Sequence, residues 1–140
     1  LLAWRTSLIR GRQRLERRDY RGAISDYEKV IVLAPGRASG YNYIAWLYAT
    51  AEDPKYVDAD KALEYARKAC EIGKWKTSGT LDTYAAALAR CGRFEDAVHW
   101  EEKSLEFDDR YPAEADSAKS RLDAYRGHRA YTEFVSVRPQ

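Results

Sequence analysis

Residues 62–69 read ALEYARKA, and this stretch carries the clearest periodicity of the chain. Its small or apolar side chains recur at the spacing i, i+3, i+4 and i+7, at Ala62, Tyr65, Ala66 and Ala69. That spacing places all four side chains on one face of an α-helix. The stretch therefore predicts an amphipathic helix that packs against another element through this face.

The same helical periodicity returns on either side, in residues 23–31 and 97–105. Four prolines and eight glycines leave long uninterrupted segments between them. The one strand-like fragment, residues 134–137, is short. We therefore predict an all-α chain of seven helices, at about 4–17, 20–33, 39–51, 59–72, 80–90, 94–107 and 113–125.

Composition narrows the class of protein. The 140 residues are 45% hydrophobic and 33% charged, which supplies a packed core and disfavours disorder. The 24 basic residues nearly balance the 22 acidic ones, so a globally basic nucleic-acid binder is not indicated. No apolar run approaches the roughly 18 to 20 residues of a membrane span, and we expect no membrane contact. The two cysteines are too few for a disulfide scaffold, so we expect free thiols and a cytoplasmic protein.

The helices pair into repeat units. Small residues recur near the start of each second helix, at Ala23, Ala62 and Ala97. They recur in the middle of each first helix, at Gly11, Ala45 and Ala85. A period of about 34 residues explains both series if the middle unit has a longer turn around Pro54. We predict a single domain with repeat units at about 4–36, 38–74 and 78–110, a terminal helix at about 113–126 and a tail at 127–140.

These residues resemble the tetratricopeptide repeat, a unit of about 34 residues with the pattern W-x2-L-G-x2-Y…A-x3-F…P. The middle unit matches it at Tyr41, Ile44, Ala45, Tyr48, Ala62, Ala66 and Ala69. The third unit matches it at Leu81, Tyr84, Ala85, Leu88, Ala97 and Ser104, and the first at Gly11, Tyr20, Ala23, Tyr27 and Pro35. Residues 61–75, KALEYARKACEIGKW, are similar to tetratricopeptide segments of large multidomain bacterial proteins.

The chain departs from the family pattern in two units. In the first unit, the large apolar positions of the first helix fall on Ser7, Arg10 and Arg14. In the third unit, Glu101 occupies the aromatic position of the second helix, and Trp100 stands one residue earlier. The first unit therefore follows the family register least closely.

The resemblance implies a right-handed α-α superhelix of three helix pairs closed by a C-terminal capping helix. It also implies a concave face, lined by the first helix of each pair, that binds an extended peptide or a partner helix. Helical spacing then assigns residues of three helices to that face. The expected groove residues are Arg5, Leu8, Arg12, Asn42, Trp46, Thr50, Asp82, Ala86 and Arg90.

Trp46 is the candidate hot spot of this groove, because it lies off the face formed by Tyr41, Ile44 and Tyr48. Tryptophan is enriched at binding hot spots. The alternative interpretation, that Trp46 only packs against neighbouring helices, stays open. Asn42 could bond the backbone amide of a ligand, or it could lie solvated near the start of its helix.

Charge is distributed unevenly along the chain. Residues 1–21 hold seven arginines and two acidic residues, whereas residues 93–123 hold five basic and ten acidic residues. Arg10, Arg14, Arg17 and Arg21 would form a stripe if the first helix continued through all four. Such a stripe could bind an acidic partner or the phosphates of a nucleic acid. We favour the alternative that the stripe is solvated, or that it pairs with a preceding repeat unit outside this sequence, and nucleic acid is not the expected partner.

The sequence contains no catalytic motif: neither a glycine-rich phosphate loop nor the G-x-S-x-G or H-E-x-x-H pattern occurs. Cys70 and Cys91 are expected at opposite ends of adjacent helices, beyond disulfide reach. We predict no enzyme activity, no cofactor and no metal site, and a protein or peptide as partner. We expect a monomer or a part of a larger chain. Because the sequence starts at Leu1 and lacks methionine, we expect it to be a scaffold or regulatory segment of a larger protein.

Overall fold

The computed structural model describes residues 2–107 and 109–133. These residues form seven α-helices and no strand, which confirms the all-α class. The helices are α1 (Ala3–Glu16), α2 (Tyr20–Leu33), α3 (Ala38–Thr50), α4 (Ala59–Ile72), α5 (Ser78–Arg90), α6 (Phe94–Leu105) and α7 (Pro112–Arg126). Every helix bound lies within two residues of its prediction. Of the predicted tail, residues 134–140 lie outside the described residues, and with them the strand-like fragment.

Side-chain caps and special turns explain where several helices begin and end. The Asp19 carboxylate accepts the N–H of Gly22 at 3.0 Å at the start of α2. The Asp58 carboxylate accepts the N–H of Lys61 at 3.0 Å at the start of α4. Both caps satisfy backbone donors that the first turn of a helix leaves unpaired. Gly92 follows α5 with a φ of +79°, a left-handed conformation that glycine adopts at little cost.

The helices pack as three successive hairpins followed by α7. The closest pairs are α1 with α2, α3 with α4, and α5 with α6. The hairpins join where α3 contacts α2 and α5, and α7 packs on α6. The small residues of the repeat lie at these contacts: Ala23, Ala45, Ala62, Ala85 and Ala97 are fully buried. The two helices of the first hairpin approach closely at Gly11, where an added Cβ would stand 2.6 Å from Cε1 of Tyr27.

Two apolar clusters form the core. One lies between the first hairpin and α3, and the larger one extends from α3 to α7. Tyr48 and Tyr65 pack against both clusters, and their rings stack with centroids 6.2 Å apart. In the part of the chain that the structure describes, no helix is both long and apolar enough to cross a bilayer.

Candidate functional site

A cleft of about 500 Å³ opens on the face formed by α3, α5 and α7. Residues that follow α7 complete its wall. Its lining includes Asn42, Trp46, Asp82, Arg121, Tyr131 and Glu133. The first three are predicted groove residues, and the structure brings them together in one cleft.

Asn42 contributes an unpaired acceptor. The residue is half-buried in the first half of α3, and its Oδ1 is buried without a hydrogen-bond partner among the described residues. A buried polar atom left unpaired costs about 1–3 kcal/mol. A donor that enters the cleft beside Asn42 would remove this cost.

Asp82 is paired with Arg121, an arginine of α7 that lies 39 positions further along the chain. Nε and Nη2 of Arg121 donate to the two carboxylate oxygens of Asp82 at 2.9 and 2.8 Å. Burial opposes the charged form of Arg121, but the Asp82 carboxylate outweighs burial and raises the pKa of the guanidinium. This two-bond pair fixes the plane of the guanidinium and holds α7 on α5.

The guanidinium of Arg121 also lies against two aromatic rings. Its Cζ is 5.3 Å from the ring centroid of Trp46 and 5.3 Å from that of Tyr131. The two rings are themselves 5.8 Å apart. Cation–π attraction is strongest for tryptophan and strengthens when water is excluded. Trp46 is thus half-buried against the core cluster and also presents its ring to a cation and an aromatic side chain.

Glu101 lies close to this pair, on α6, and it is fully buried. Neither of its carboxyl oxygens has a hydrogen-bond partner among the described residues. Burial, and next the neighbouring Asp82 carboxylate, raise the pKa of Glu101 well above its usual range. Burial therefore favours the protonated form of Glu101, while Asp82 pairs with the arginine.

The chain after α7 turns back across the ends of α3 and α5; we call residues 128–133 the C-terminal segment. The N–H of Glu133 donates to the carbonyl oxygen of Thr50 at 2.8 Å. Nη2 of Arg90 donates to the carbonyl oxygen of Tyr131 at 2.7 Å and to Oγ1 of Thr132 at 3.3 Å. The C-terminal segment is therefore held by main-chain bonds to predicted groove residues.

Arg90 itself is fixed in place by a further bond from Nε to the carbonyl oxygen of Ala49, at 2.6 Å. Burial lowers its pKa. Among the described residues it has no acidic partner, so its charge is met only by carbonyl and hydroxyl oxygens. Arg90 is consequently a donor that already binds a peptide backbone.

The remaining predicted groove residues lie outside the cleft lining. Arg5 lies over Trp4 at 5.2 Å and Arg12 over Tyr43 at 5.7 Å, measured from Cζ to the ring centroid. The other three are more deeply placed. Leu8 packs in the core cluster of the first hairpin, Ala86 is buried within α5, and the buried Thr50 hydroxyl donates to the carbonyl oxygen of Trp46 at 2.7 Å.

The predicted arginine stripe does not continue on one helix. The helix α1 ends before Arg17, and Arg21 belongs to α2. Arg10 and Arg14 both donate to the buried Asp26 of α2, with their shortest contacts at 2.8 Å. Burial alone would raise the pKa of Asp26, but the hydrogen bond and charge of Arg10, with the charge of Arg14, lower it below its usual value. Half of the stripe is therefore ion-paired within the first hairpin.

The thiols and metal-binding side chains form no reactive set in the described part of the chain. Both cysteines are free, as predicted. Sγ of Cys70 donates to the carbonyl oxygen of Thr80 at 3.3 Å, and burial raises the pKa of this thiol to about 12. Within residues 2–107 and 109–133, no cluster of three His, Cys, Asp or Glu residues is arranged to hold a metal ion.

Sequence reasoning missed Arg121 and Tyr131, because their partners are remote in sequence. Asp82 and Arg121 are 39 positions apart, and no local pattern connects such positions. Glu101 did carry a signal, since an acidic residue stood at the aromatic position of its repeat unit. A charged residue on the apolar face of a helix indicates a buried titratable group.

Comparisons with known proteins do not assign this chain to a family. No family model matches the sequence, and no curated protein matches it either. The cleft and the contacts around it therefore carry the functional argument.

Proposed function

We propose that the chain is a protein interaction module of the tetratricopeptide type, whose cleft binds an extended peptide or a helix of a partner protein. Three successive helix hairpins with buried small residues at their contacts, closed by α7, support this proposal. In a right-handed superhelix of such hairpins, the first helix of each pair lines the concave face. The cleft lies on α3 and α5, two such first helices.

The observation that carries the proposal is the chemistry gathered in the cleft. It combines an unpaired amide oxygen at Asn42, an aromatic ring at Trp46 and a guanidinium at Arg121 that Asp82 holds in place. Polar groups fixed in advance bind a ligand at a smaller entropic cost. A peptide offers backbone N–H groups and side chains that suit each of these three elements.

A module of this kind acts by holding one protein against another. We propose that it serves as a scaffold or regulatory segment of a larger protein, and that the reaction or signal belongs to the molecules it brings together. The nucleic-acid alternative draws less support, because Arg10 and Arg14 are already bound to Asp26.

A peptide-display selection tests the proposal. Random 12-residue peptides displayed on phage would be selected on the full chain, and the enriched peptides measured by fluorescence anisotropy. We expect Asn42→Leu and Trp46→Ala each to weaken binding about tenfold, which corresponds to about 1.4 kcal/mol. The matched control is Lys68→Ala, an exposed residue of α4 away from the cleft.

Circular dichroism would accompany every variant. Unchanged helicity with lost binding supports a role in binding. If no peptide is enriched, or if Lys68→Ala weakens binding as much as Asn42→Leu, the cleft is not the binding site. If Trp46→Ala unfolds the chain, Trp46 is a core residue, and Asn42→Leu alone decides.

A further inference from the structure

We propose that the C-terminal segment occupies the partner's binding site when the partner is absent, and that this site binds an extended peptide with an aromatic side chain. The partner would displace residues 128–133 and place its own ring against Trp46 and Arg121. This inference rests on the proposed function and names the ligand class of the same site. It follows from three features of the contacts that the segment makes.

The first feature is that the segment is bound mainly through its backbone. The carbonyl oxygen of Tyr131 accepts from Arg90, and the N–H of Glu133, two residues later, donates to the carbonyl oxygen of Thr50. Any extended peptide offers a carbonyl and an N–H at this spacing, whatever its sequence. These contacts therefore hold a peptide main chain in register without selecting side chains.

The second feature is a place for one aromatic ring. The Tyr131 ring packs on Trp46 with an interplanar angle of 46°, and Arg121 approaches both rings at 5.3 Å. Aromatic pairs in such tilted arrangements attract each other beyond the effect of the apolar area they bury. A cation beside the ring adds a preference for aromatic over aliphatic side chains. The site therefore selects the residue that takes the place of Tyr131.

The third feature is that the site is built without the segment. Arg121 is held by Asp82, Arg90 by Ala49, and Trp46 by the core cluster against which it packs. Each of these three side chains keeps that contact when the segment leaves. The segment itself is helix-free, and Tyr131 and Glu133 are only half-buried. It is thus a removable occupant of a preformed site.

The position of the cleft is consistent with displacement. Tyr131 and Glu133 form part of its wall, next to Asn42 and Asp82. A peptide that enters the cleft therefore reaches the segment directly. By replacing the segment, that peptide would add the Arg90 donor and the Thr50 carbonyl to its contacts.

Binding of the segment's own sequence tests the inference. The probe is a fluorescent, acetylated and amidated heptapeptide of residues 127–133, GHRAYTE, added to the full chain. Glu133→Pro removes the N–H that bonds to Thr50, and the matched control Glu133→Ala keeps it. We expect the proline variant to bind the probe about tenfold more tightly than the alanine variant, because its own segment competes less. A probe with alanine in place of its tyrosine should bind at least tenfold more weakly.

Other outcomes would overturn the inference. It is wrong if the probe binds neither variant, or binds both equally, or is indifferent to its tyrosine. If Glu133→Pro unfolds the chain, full-length Tyr131→Ala serves as the released variant, with Arg129→Ala, at an exposed residue of the segment, as its control. Displayed peptides that bind through Asn42 but gain no affinity in the released variant overturn the inference and leave the proposed function standing. Failure of every peptide to bind either form overturns both.

Discussion

Two buried carboxyl groups of this protein have pKa values that are shifted in opposite directions. Asp26 on α2 and Glu101 on α6 are both fully buried on the second helix of a hairpin. The pKa of Asp26 is lowered, because Arg10 and Arg14 outweigh the effect of burial. The pKa of Glu101 is raised, because burial acts with little compensation. Burial alone therefore does not decide whether a carboxyl group carries charge; the number of available cations does.

The two hairpins differ in how they share arginines. In the first, Arg10 and Arg14 serve one carboxylate. At the third hairpin, Arg121 of the neighbouring α7 bonds to the Asp82 carboxylate. The second carboxyl group, that of Glu101, has no arginine bonded to it, and burial favours its protonated form. Protonation of Glu101 thus neutralises the second carboxyl group, for which no second arginine is bonded. Three predictions test this contrast, in order of decreasing expected effect.

Removing the Arg121 guanidinium should change the free energy of unfolding most. Arg121→Gln leaves Asp82 without its arginine beside Glu101, and breaking a buried pair in this way typically costs 3–5 kcal/mol. Because Asp82 keeps some contact with water, we expect a loss of about 3 kcal/mol in the free energy of unfolding, measured by urea denaturation at pH 7. Arg126→Gln removes an exposed pair with Glu102 and should cost less than about 1 kcal/mol. Equal losses in the two variants would contradict a stabilising role for the buried pair.

Removing the charge of Asp26 should have an intermediate effect. Asp26→Asn preserves the shape but weakens the bonds from Arg10 and Arg14, at an expected cost of about 2 kcal/mol at pH 7. The pKa of Asp26 is lower in the folded than in the unfolded protein. Its contribution is therefore complete above about pH 4 and is lost as the pH falls through the folded value. Urea denaturation at pH 7 and pH 3 should show the difference between variant and wild type shrinking; a constant difference would show that Asp26 is not ionised.

Replacing Glu101 with a side chain that cannot ionise should change the free energy of unfolding least, and should raise it where the other two substitutions lower it. The folded protein keeps a proton on Glu101 that the unfolded chain releases above about pH 4.5, so stability falls as the pH rises from there. Glu101→Gln removes this cost and nearly preserves the shape of the side chain. We expect a gain of about 1 kcal/mol at pH 8 and a much smaller one at pH 5. A loss of stability at pH 8 would place an ionised, paired Glu101 in the native state.

The helices were predictable because their signals are local. The face of residues 62–69, the Asp58 cap and Gly92 each act within a few positions of the chain. Their physical causes, side-chain periodicity and the backbone donors of a helix end, can be read from short windows. This explains why the helix bounds were found within two residues.

The candidate site was predictable only in part. Asn42, Trp46 and Asp82 lie on helices whose faces follow from periodicity, and the structure places all three in the cleft. The packing of α7 brings Arg121 to the same place, and the return of the chain after α7 brings Tyr131 there; no short window of sequence encodes either. That return also explains why Arg90 is engaged with the chain itself.

The short connection between α7 and Tyr131 has a consequence for the choice of partners. Only residues 127–130 separate the end of the helix from the ring that packs on Trp46. A segment tethered so closely competes at an effective concentration on the order of millimolar. A free peptide that merely equals it in contacts would have to be present at a similar concentration to replace it. If partners displace the segment as proposed, the tether sets an affinity threshold, and only partners that also use the cleft would bind at cellular concentrations.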